Sequence, residues 1–369
     1  MNSMVIEVLT PRYAMAWYPW AVQYFFMIAI SYSALMLTVP GLLLGKQRFL
    51  LLAKIALLVS VSCTLVGPVA LLADLHQPLR FWHFYANITP WSWMSIGSLL
   101  LPLYLVLVVA YAWLAWRPAM QEQAQEEGWM ARLSGWIALG QWHSPRWMLI
   151  LSGLGALVFS FGIMLYTGAE VAVLQSRPLW HTEWLPVMFV ITGLVAAAGL
   201  VLLLNRLMTG NDEDVNRQGL TVIFVGMILA AVVAALWLTE GITGYSPSVQ
   251  EAFASVKNSP QWTAVAVWGL LAGIALVLSA AVLLKKQSWL GFGWLVGLLA
   301  LHVGWTFRWM VLMEVQTVAK NTAGYYQYAI EAGSYGFMGI IGTFGLWLAA
   351  LLIIDILVPW KKGMQVRAR

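Results

Sequence analysis

Nine apolar runs of membrane-spanning length constrain the fold of this chain more than any other feature. They lie at about residues 20–44, 50–74, 91–116, 147–170, 183–206, 219–241, 261–284, 289–313 and 335–358. A helix needs about 20 mostly apolar residues to cross a bilayer, whereas a barrel strand needs about 9–11 and alternates apolar with polar side chains. The sequence therefore predicts an all-α integral membrane protein with about nine transmembrane helices.

The composition agrees with a membrane location and excludes several other classes of protein. Hydrophobic residues make up 61% of the 369 residues and charged residues only 9%, against roughly 25% charged residues in a soluble domain. The net charge of +5 fits basic loops, so we expect membrane lipids and no nucleic acid as partners. Cys63 is the one cysteine, which excludes an internal disulfide or a cysteine-ligated metal cluster. We also expect no cleaved signal peptide, because residues 1–20 lack a basic segment followed by a short apolar one.

Lysine and arginine are distributed unevenly between the two sides of the predicted membrane. Thirteen fall on the side that holds the C-terminus: Lys46, Arg48, Arg117, Arg132, Arg146, Arg206, Arg217, Lys285, Lys286, Lys361, Lys362, Arg367 and Arg369. Five fall on the opposite side: Arg12, Arg80, Arg177, Lys257 and Lys320. Basic residues favour the cytoplasmic side. The bias predicts an N-terminus outside the cell and a cytoplasmic C-terminus.

Conspicuous polar residues gather at the predicted outer ends of the helices. The stretch ADLHQPLRFWHFY, residues 73–85, follows the second apolar run and is the densest group. The other members are Tyr166, Glu170, Arg177, His181, Glu183, Glu240, Arg308 and Glu314. Ionisable groups at membrane depth are costly and usually serve a function. We therefore expect the chemistry, or the docking of a partner, at the outer face.

Haem binding and solute transport are two functions that would place polar residues at membrane depth. A membrane haem b needs two axial histidines within the bundle, and only His302 lies deep inside a predicted helix. We expect no haem, and we expect His302 to bond a neighbouring helix. Transporters often contain paired broken helices near the midplane. Gly67-Pro68 interrupts the second run, but no matching break occurs in the second half.

Quinol chemistry fits the outer residues better. A quinol ring needs an apolar slot and hydrogen-bond partners for its two hydroxyl groups, and its oxidation needs a proton acceptor near water. His76, Tyr166 and Glu170 provide these groups. Two other interpretations remain open: Tyr166 as an anchor at the membrane interface, and Glu170 as the ion-pair partner of Arg80 or Arg177.

Three segments resemble the membrane subunits of the NrfD / polysulfide reductase superfamily. GPVALLADLHQPLRFWHFY with the following NITPWSWMSIGSLLLPLY is the first, and YTGAEVAVLQSRPLWHTEWLPVMF is the second. With WYPWAVQYFF, they are most similar to the tetrathionate reductase type, and also fit the polysulfide and thiosulfate reductase types. The similarity is clearest over residues 17–206.

The resemblance implies a role in a respiratory complex of the bacterial inner membrane. Members of the superfamily anchor an iron–sulfur subunit and a molybdopterin catalytic subunit on the periplasmic face. They bind menaquinol or ubiquinol, hold no haem or iron–sulfur cluster of their own, and pass electrons to the nearest cluster of the partner. Alternative interpretations are a quinone-reducing or proton-translocating member of the same superfamily, and a membrane transporter.

The resemblance also implies roles for individual residues. Tyr166 matches the quinone-site tyrosine of relatives, and Gln23 stands where a relative carries histidine, so His76 or Glu170 is expected to accept the proton. The predicted catalytic residues are His76, Tyr166 and Glu170. The predicted quinol-binding residues are Gln23, Asp74, His76, Tyr166 and Arg177. The residues predicted to dock the partner are Arg80, Trp82 and His83.

The superfamily fold is usually two four-helix bundles, which makes the ninth predicted helix, expected to be the last, an addition. We predict an NrfD-like N-terminal bundle with the quinol site at residues 1–206 and a C-terminal bundle at residues 207–369.

The orientation gives the first testable prediction. Alkaline phosphatase folds into an active enzyme only outside the cytoplasm, so a fusion at the C-terminus of this chain is expected to be inactive. A fusion in the 73–85 segment is expected to be active. The reverse pattern would place the polar outer residues in the cytoplasm and remove the basis for a periplasmic site.

Overall fold

The computed structural model describes residues 15–257, 259–318 and 328–362, and within them all regular structure is helical. Nine helices there are long and apolar enough to cross a membrane, which confirms the prediction. They are α1 (Pro19–Leu43), α2 (Gln47–Asp74), α3 (Trp93–Gln123), α4 (Arg146–Ala172), α5 (Trp184–Met208), α6 (Glu213–Thr243), α7 (Pro260–Lys285), α8 (Gln287–Thr317) and α9 (Phe337–Leu357).

Some residues that support the sequence predictions lie outside the described residues. They are residues 1–14, on which the signal-peptide expectation partly rests, and four of the basic residues counted for the orientation: Arg12, Lys320, Arg367 and Arg369.

Local sequence explains where several helices begin and bend. Pro19 opens α1, at a position where the missing backbone N–H of proline costs nothing. The Asp212 side chain accepts a hydrogen bond from the backbone N–H of Val215 at 2.9 Å and so caps α6. Pro68 lies inside α2, which nevertheless continues to Asp74. A π-helical turn widens α8 at Met310–Glu314.

Helix α1 lies at the centre of the molecule. It packs against α2, α4, α5, α8 and α9, and nearly all of its residues are buried. Around it, α3 packs on α4, α5 packs on α6 and α8, and α7 packs on α6 and α8. Helix α9 lies against α2 and exposes most of its surface.

Arg308 ties three of these helices together from a fully buried position on α8. Its Nε donates to the backbone oxygen of Phe25 on α1 at 2.9 Å, and Nη2 donates to that of Phe189 on α5 at 3.0 Å. Its Nη1 donates to Gly304 O at 2.9 Å and to Thr192 Oγ1 at 3.2 Å. Arg308 was predicted to be one of the outer polar residues; the structure places it inside the bundle, with hydrogen bonds from all three nitrogens.

The two ends of the helix bundle differ. Helix α2 ends, α3 begins, α4 ends and α5 begins at the same end, here called the Asp74 end. The opposite end holds the short helix Trp129–Ile137. Arg117, near the end of α3, contacts the residues that follow this short helix. Arg117 donates to the backbone oxygens of Ala138 and Gly140, both at 3.0 Å, and its guanidinium lies 3.7 Å from the ring centre of Trp142.

Candidate functional site

An apolar cavity of about 360 Å³ lies at the Asp74 end between α2, α3 and α4. Its walls are aliphatic and aromatic side chains from these helices and from the loop between α2 and α3. Leu72, Met94 and Val106 line it and are exposed on the outer surface of their helices, so the cavity opens sideways toward lipid. The side chains with polar groups that line it are Tyr85, Ser98, Tyr166 and Glu170. A lipid-soluble ring can therefore enter without passing through water.

Tyr166 and Glu170 stand side by side on α4. They are four residues apart, which puts both side chains on one face of the helix. The Tyr166 hydroxyl and the Glu170 carboxyl group are close enough to interact electrostatically, but no hydrogen bond of good geometry joins them among the described residues. The Oε2 atom of Glu170 is buried and has no hydrogen-bond partner among the described residues. A buried acceptor without a partner is costly, and a ligand that donates a hydrogen bond would satisfy it.

Tyr24 of α1 completes this polar group, and it was not among the residues predicted for the site. Its side chain is fully buried, and its hydroxyl lies next to that of Tyr166. The same hydroxyl has no hydrogen bond of good geometry within the part of the chain that the structure describes. Tyr24 sits in a helix whose residues follow no polar periodicity, so only the packing of α1 against α4 reveals it.

Asp74 and His76 lead from this group toward the surface. Asp74 is the last residue of α2, and its Oδ1 accepts a hydrogen bond from the backbone N–H of Tyr18 at 3.0 Å. It is near enough to both Glu170 and His76 for their charges to interact. His76 is exposed, and its Nε2 lies 3.1 Å from the backbone oxygen of Ala16. His76 does not line the cavity.

Gln23 points away from the cavity although it lies on the same helix as Tyr24. It is fully buried, and its Oε1 accepts a hydrogen bond from Trp305 Nε1 of α8 at 2.7 Å. Its Nε2 donates to the backbone oxygen of Ile340 of α9 at 3.2 Å. Gln23 therefore joins α1 to α8 and α9.

Arg177 also lies apart from the cavity, in the loop between α4 and α5. Its Nη1 donates to the backbone oxygen of Val315 at 3.0 Å, and its guanidinium lies 5.2 Å from the ring centre of Trp180. Burial lowers the pKa of Arg177 because it removes water from the charged group. In the described ranges, neither Arg177 nor Arg80 forms an ion pair with Glu170; the two ion pairs there are Lys361–Asp355 and Lys362–Glu126.

The three residues predicted to dock a partner lie on the loop between α2 and α3. Arg80 ends a short 3-10 turn, and His83 begins a one-turn helix. Trp82 is 54% exposed, and its ring contacts His83 edge-on at 4.0 Å between ring centres. All three side chains are exposed at the Asp74 end, on the loop whose Phe81 and Phe84 side chains line the cavity.

Residues 7–320 match the family model described as "Polysulphide reductase, NrfD". The chain belongs to the NrfD family. This confirms the resemblance noted in the sequence, and the matched residues include every residue that lines the cavity. Helix α9 lies beyond them.

Individual relatives agree with this membership. The chain is 35% identical to a tetrathionate reductase subunit of Salmonella typhimurium over 358 residues, which cover 96% of this chain and 95% of the relative. It is 26% identical to a selenate reductase subunit of Mesobacillus selenatarsenatis over 238 residues, 59% of this chain and 56% of the relative. It is 27% identical to NrfD of Escherichia coli over 154 residues, 41% and 46% of the two chains. The protein is thus a multi-pass NrfD-type membrane protein whose named relatives include reductase subunits.

The close contact between Gly97 and the Tyr166 ring provides a second testable prediction. A Cβ atom on Gly97 of α3 would overlap the Tyr166 ring, so Gly97→Ala must displace that ring. A displacement of about 1 Å at a reacting centre can cost up to about 10²-fold in rate. For the quinol oxidation that the sequence predicts, we expect Gly97→Ala to lower turnover by up to about this factor.

The control variant is Gly155→Ala, in the same α3–α4 interface. Its added Cβ would lie 3.5 Å from Leu107, an ordinary contact, so turnover should stay near that of the wild type. Equal turnover in both variants would show that the position of the Tyr166 ring does not matter.

Proposed function

We propose that this protein is the membrane anchor and quinol-oxidising subunit of a respiratory reductase complex, and that the cavity between α2, α3 and α4 binds the quinol headgroup. The observation that carries the proposal is the buried, unpartnered Glu170 Oε2 beside the Tyr166 hydroxyl in a cavity that is otherwise nearly apolar. The volume of about 360 Å³ fits a ring and the start of its isoprenoid tail.

Quinol oxidation requires few protein groups beyond Glu170, Tyr166 and Tyr24. A quinol that becomes a quinone releases two electrons and two protons. The Glu170 carboxylate accepts a hydrogen bond from one quinol hydroxyl and then its proton, and it accepts the second proton after it has passed the first one on toward Asp74. Tyr166 bonds an oxygen of the same ring, and Tyr24 supports Tyr166 from α1. The electrons leave to an iron–sulfur cluster of a partner subunit, because this chain is predicted to hold no haem or cluster.

The protons leave along the groups that lead outward. Glu170 interacts with Asp74, and Asp74 interacts with His76 at the surface. We therefore assign His76 and Asp74 to proton release rather than to contact with the quinol. Gln23 and Arg177 hold helices and loops in place, since their hydrogen bonds run to α8 and α9 rather than to the cavity.

The proposed orientation places the Asp74 end at the periplasmic face of the bacterial inner membrane, with the C-terminus in the cytoplasm. The excess of basic residues on the C-terminal side supports this orientation. An iron–sulfur subunit would then dock on Arg80, Trp82 and His83, directly over the cavity, and would connect it to a molybdopterin catalytic subunit. The names of the relatives, as subunits of tetrathionate and selenate reductases, support a complex of this kind.

The helices divide into two bundles in this proposal, α1–α4 and α5–α8, with α9 added against α2. The predicted domain boundary at residue 206 assigned α5 to the first bundle. Helix α5 packs against α1, but its larger contacts are with α8 and α6, so we place it in the second bundle.

The third prediction separates quinol oxidation from assembly. Glu170→Gln removes the proton acceptor and should slow quinol-driven reduction by the whole complex by roughly 10²–10⁴-fold. Tyr166→Phe removes one hydrogen bond worth about 0.5–1.5 kcal/mol, so it should slow the reaction by roughly 2- to 13-fold. His76→Ala should have a smaller effect than Glu170→Gln. Turnover is measured with a quinol analogue and, separately, with a dye that reduces the catalytic subunit directly.

Tyr111→Phe is the matched control, because Tyr111 is a buried phenol of α3 that lies outside the cavity and bonds Thr38 at 3.2 Å. Dye-driven activity should be unchanged in every variant. Loss of both activities in Glu170→Gln would mean that Glu170 serves assembly. Normal quinol-driven activity in Glu170→Gln would remove the cavity from the mechanism.

A further inference from the structure

A second cavity, of about 290 Å³, lies between α1, α5, α8 and α9. It shares no lining residue with the Tyr166 cavity. Its walls are almost wholly apolar and include Phe26, Leu200, Phe344 and Trp347. Three of the lining side chains carry polar atoms: His302 and Trp305 of α8, and Trp347 of α9. The indole N–H of Trp305 donates to Gln23 and that of Trp347 donates to Ser62, which leaves His302 as the group to explain.

The hydrogen bonds of His302 fix where its proton lies. Trp268 of α7 donates its Nε1–H to His302 Nε2 at 2.8 Å, and the Thr306 hydroxyl lies 3.4 Å from the same nitrogen. An indole nitrogen is only a donor, so Nε2 must accept, and the neutral ring then carries its proton on Nδ1. No acceptor for Nδ1 occurs among the residues that the structure describes. The prediction that His302 bonds a neighbouring helix is thus confirmed for one of its two nitrogens.

The depth of His302 makes its free N–H significant. His302 is the midpoint of α8 (Gln287–Thr317), and Trp347 is the midpoint of α9 (Phe337–Leu357). His302 is also exposed on the helix surface. The cavity therefore lies near the middle of the bilayer, where water does not reach and an unsatisfied N–H is costly. A ligand that satisfies it must be soluble in lipid and must carry an acceptor oxygen at this depth.

We propose that this cavity is a second quinone site, in which a carbonyl oxygen of an isoprenoid quinone accepts a hydrogen bond from His302 Nδ1. Phospholipids do not meet the requirement, because their ester carbonyls lie near the headgroups and their acyl chains have no acceptor at mid-depth. Phe26, Phe344 and Trp347 supply aromatic surface for a flat ring. The site holds a quinone and involves no electron transfer, so it does not depend on the chemistry proposed for the Tyr166 cavity.

Photolabelling of the purified complex with an azidoquinone tests this site. Labelled peptides are expected from α8 and α9, in addition to any from the Tyr166 cavity. His302→Leu should lower labelling of α8 and α9 by roughly 2- to 13-fold, because one hydrogen bond is lost. His302→Gln should largely restore it, since an amide can accept from Trp268 and donate to the quinone.

Two controls separate this proposal from the previous one. His143→Leu changes an exposed histidine at the opposite end of the bundle and should leave labelling unchanged. Tyr166→Phe should leave labelling of α8 and α9 unchanged while it slows quinol oxidation. Label that appears only in α2–α4, or labelling of His302→Leu equal to that of the wild type, would refute the second site. Lipid extraction of the complex gives a further test: a His302 variant that loses bound phospholipid and not quinone would also refute it.

Discussion

Hydrocarbon offers no hydrogen-bond partners, so each polar group within the nine helices must be satisfied by the protein or by a ligand. Many of those in the described part of the chain are satisfied by the protein. Arg308 donates from its three nitrogens to α1, α5 and its own helix, and Gln23 bonds α8 and α9. These bonds hold the central helix α1 to its neighbours. Among the groups left over, those beside a cavity are the informative ones: Glu170 Oε2 and the Tyr24 hydroxyl beside one cavity, and the ring of His302 in the other.

This distribution connects packing to function. Glu170 and Tyr166 are held on the inner face of α4 by Tyr24 from α1 and by the close approach of α3 at Gly97. The cavity in front of them opens to lipid, while Asp74 and His76 open the same end to water. A lipid-soluble donor of protons and electrons can thus meet a proton acceptor at the boundary between the two solvents. The exposed loop with Arg80, Trp82 and His83 covers that point, where a partner would receive the electrons.

The sequence predicted the features that depend on composition and on spacing within one helix. The nine helices follow from apolar length, and the Tyr166–Glu170 pair follows from four-residue spacing near a helix end. The sequence did not predict which face of α1 meets α4, because the polar and apolar residues of α1 follow no helical periodicity. Tyr24 was therefore overlooked, and its neighbour Gln23 was chosen although it turns toward α8. His76 and Arg177 lie in loops beyond the helix ends, where the path of the chain depends on tertiary contacts such as those with Ala16 and Val315.

The most direct test of the central claim is a cryo-EM structure of the assembled complex with a quinol-analogue inhibitor. Density for the ring is expected in the cavity between α2, α3 and α4, with one ring oxygen within hydrogen-bond distance of the Glu170 carboxyl group and another ring atom near the Tyr166 hydroxyl. A ring bound instead against Gln23, His76 or Arg177, with only acyl chain density beside Glu170, would contradict the account.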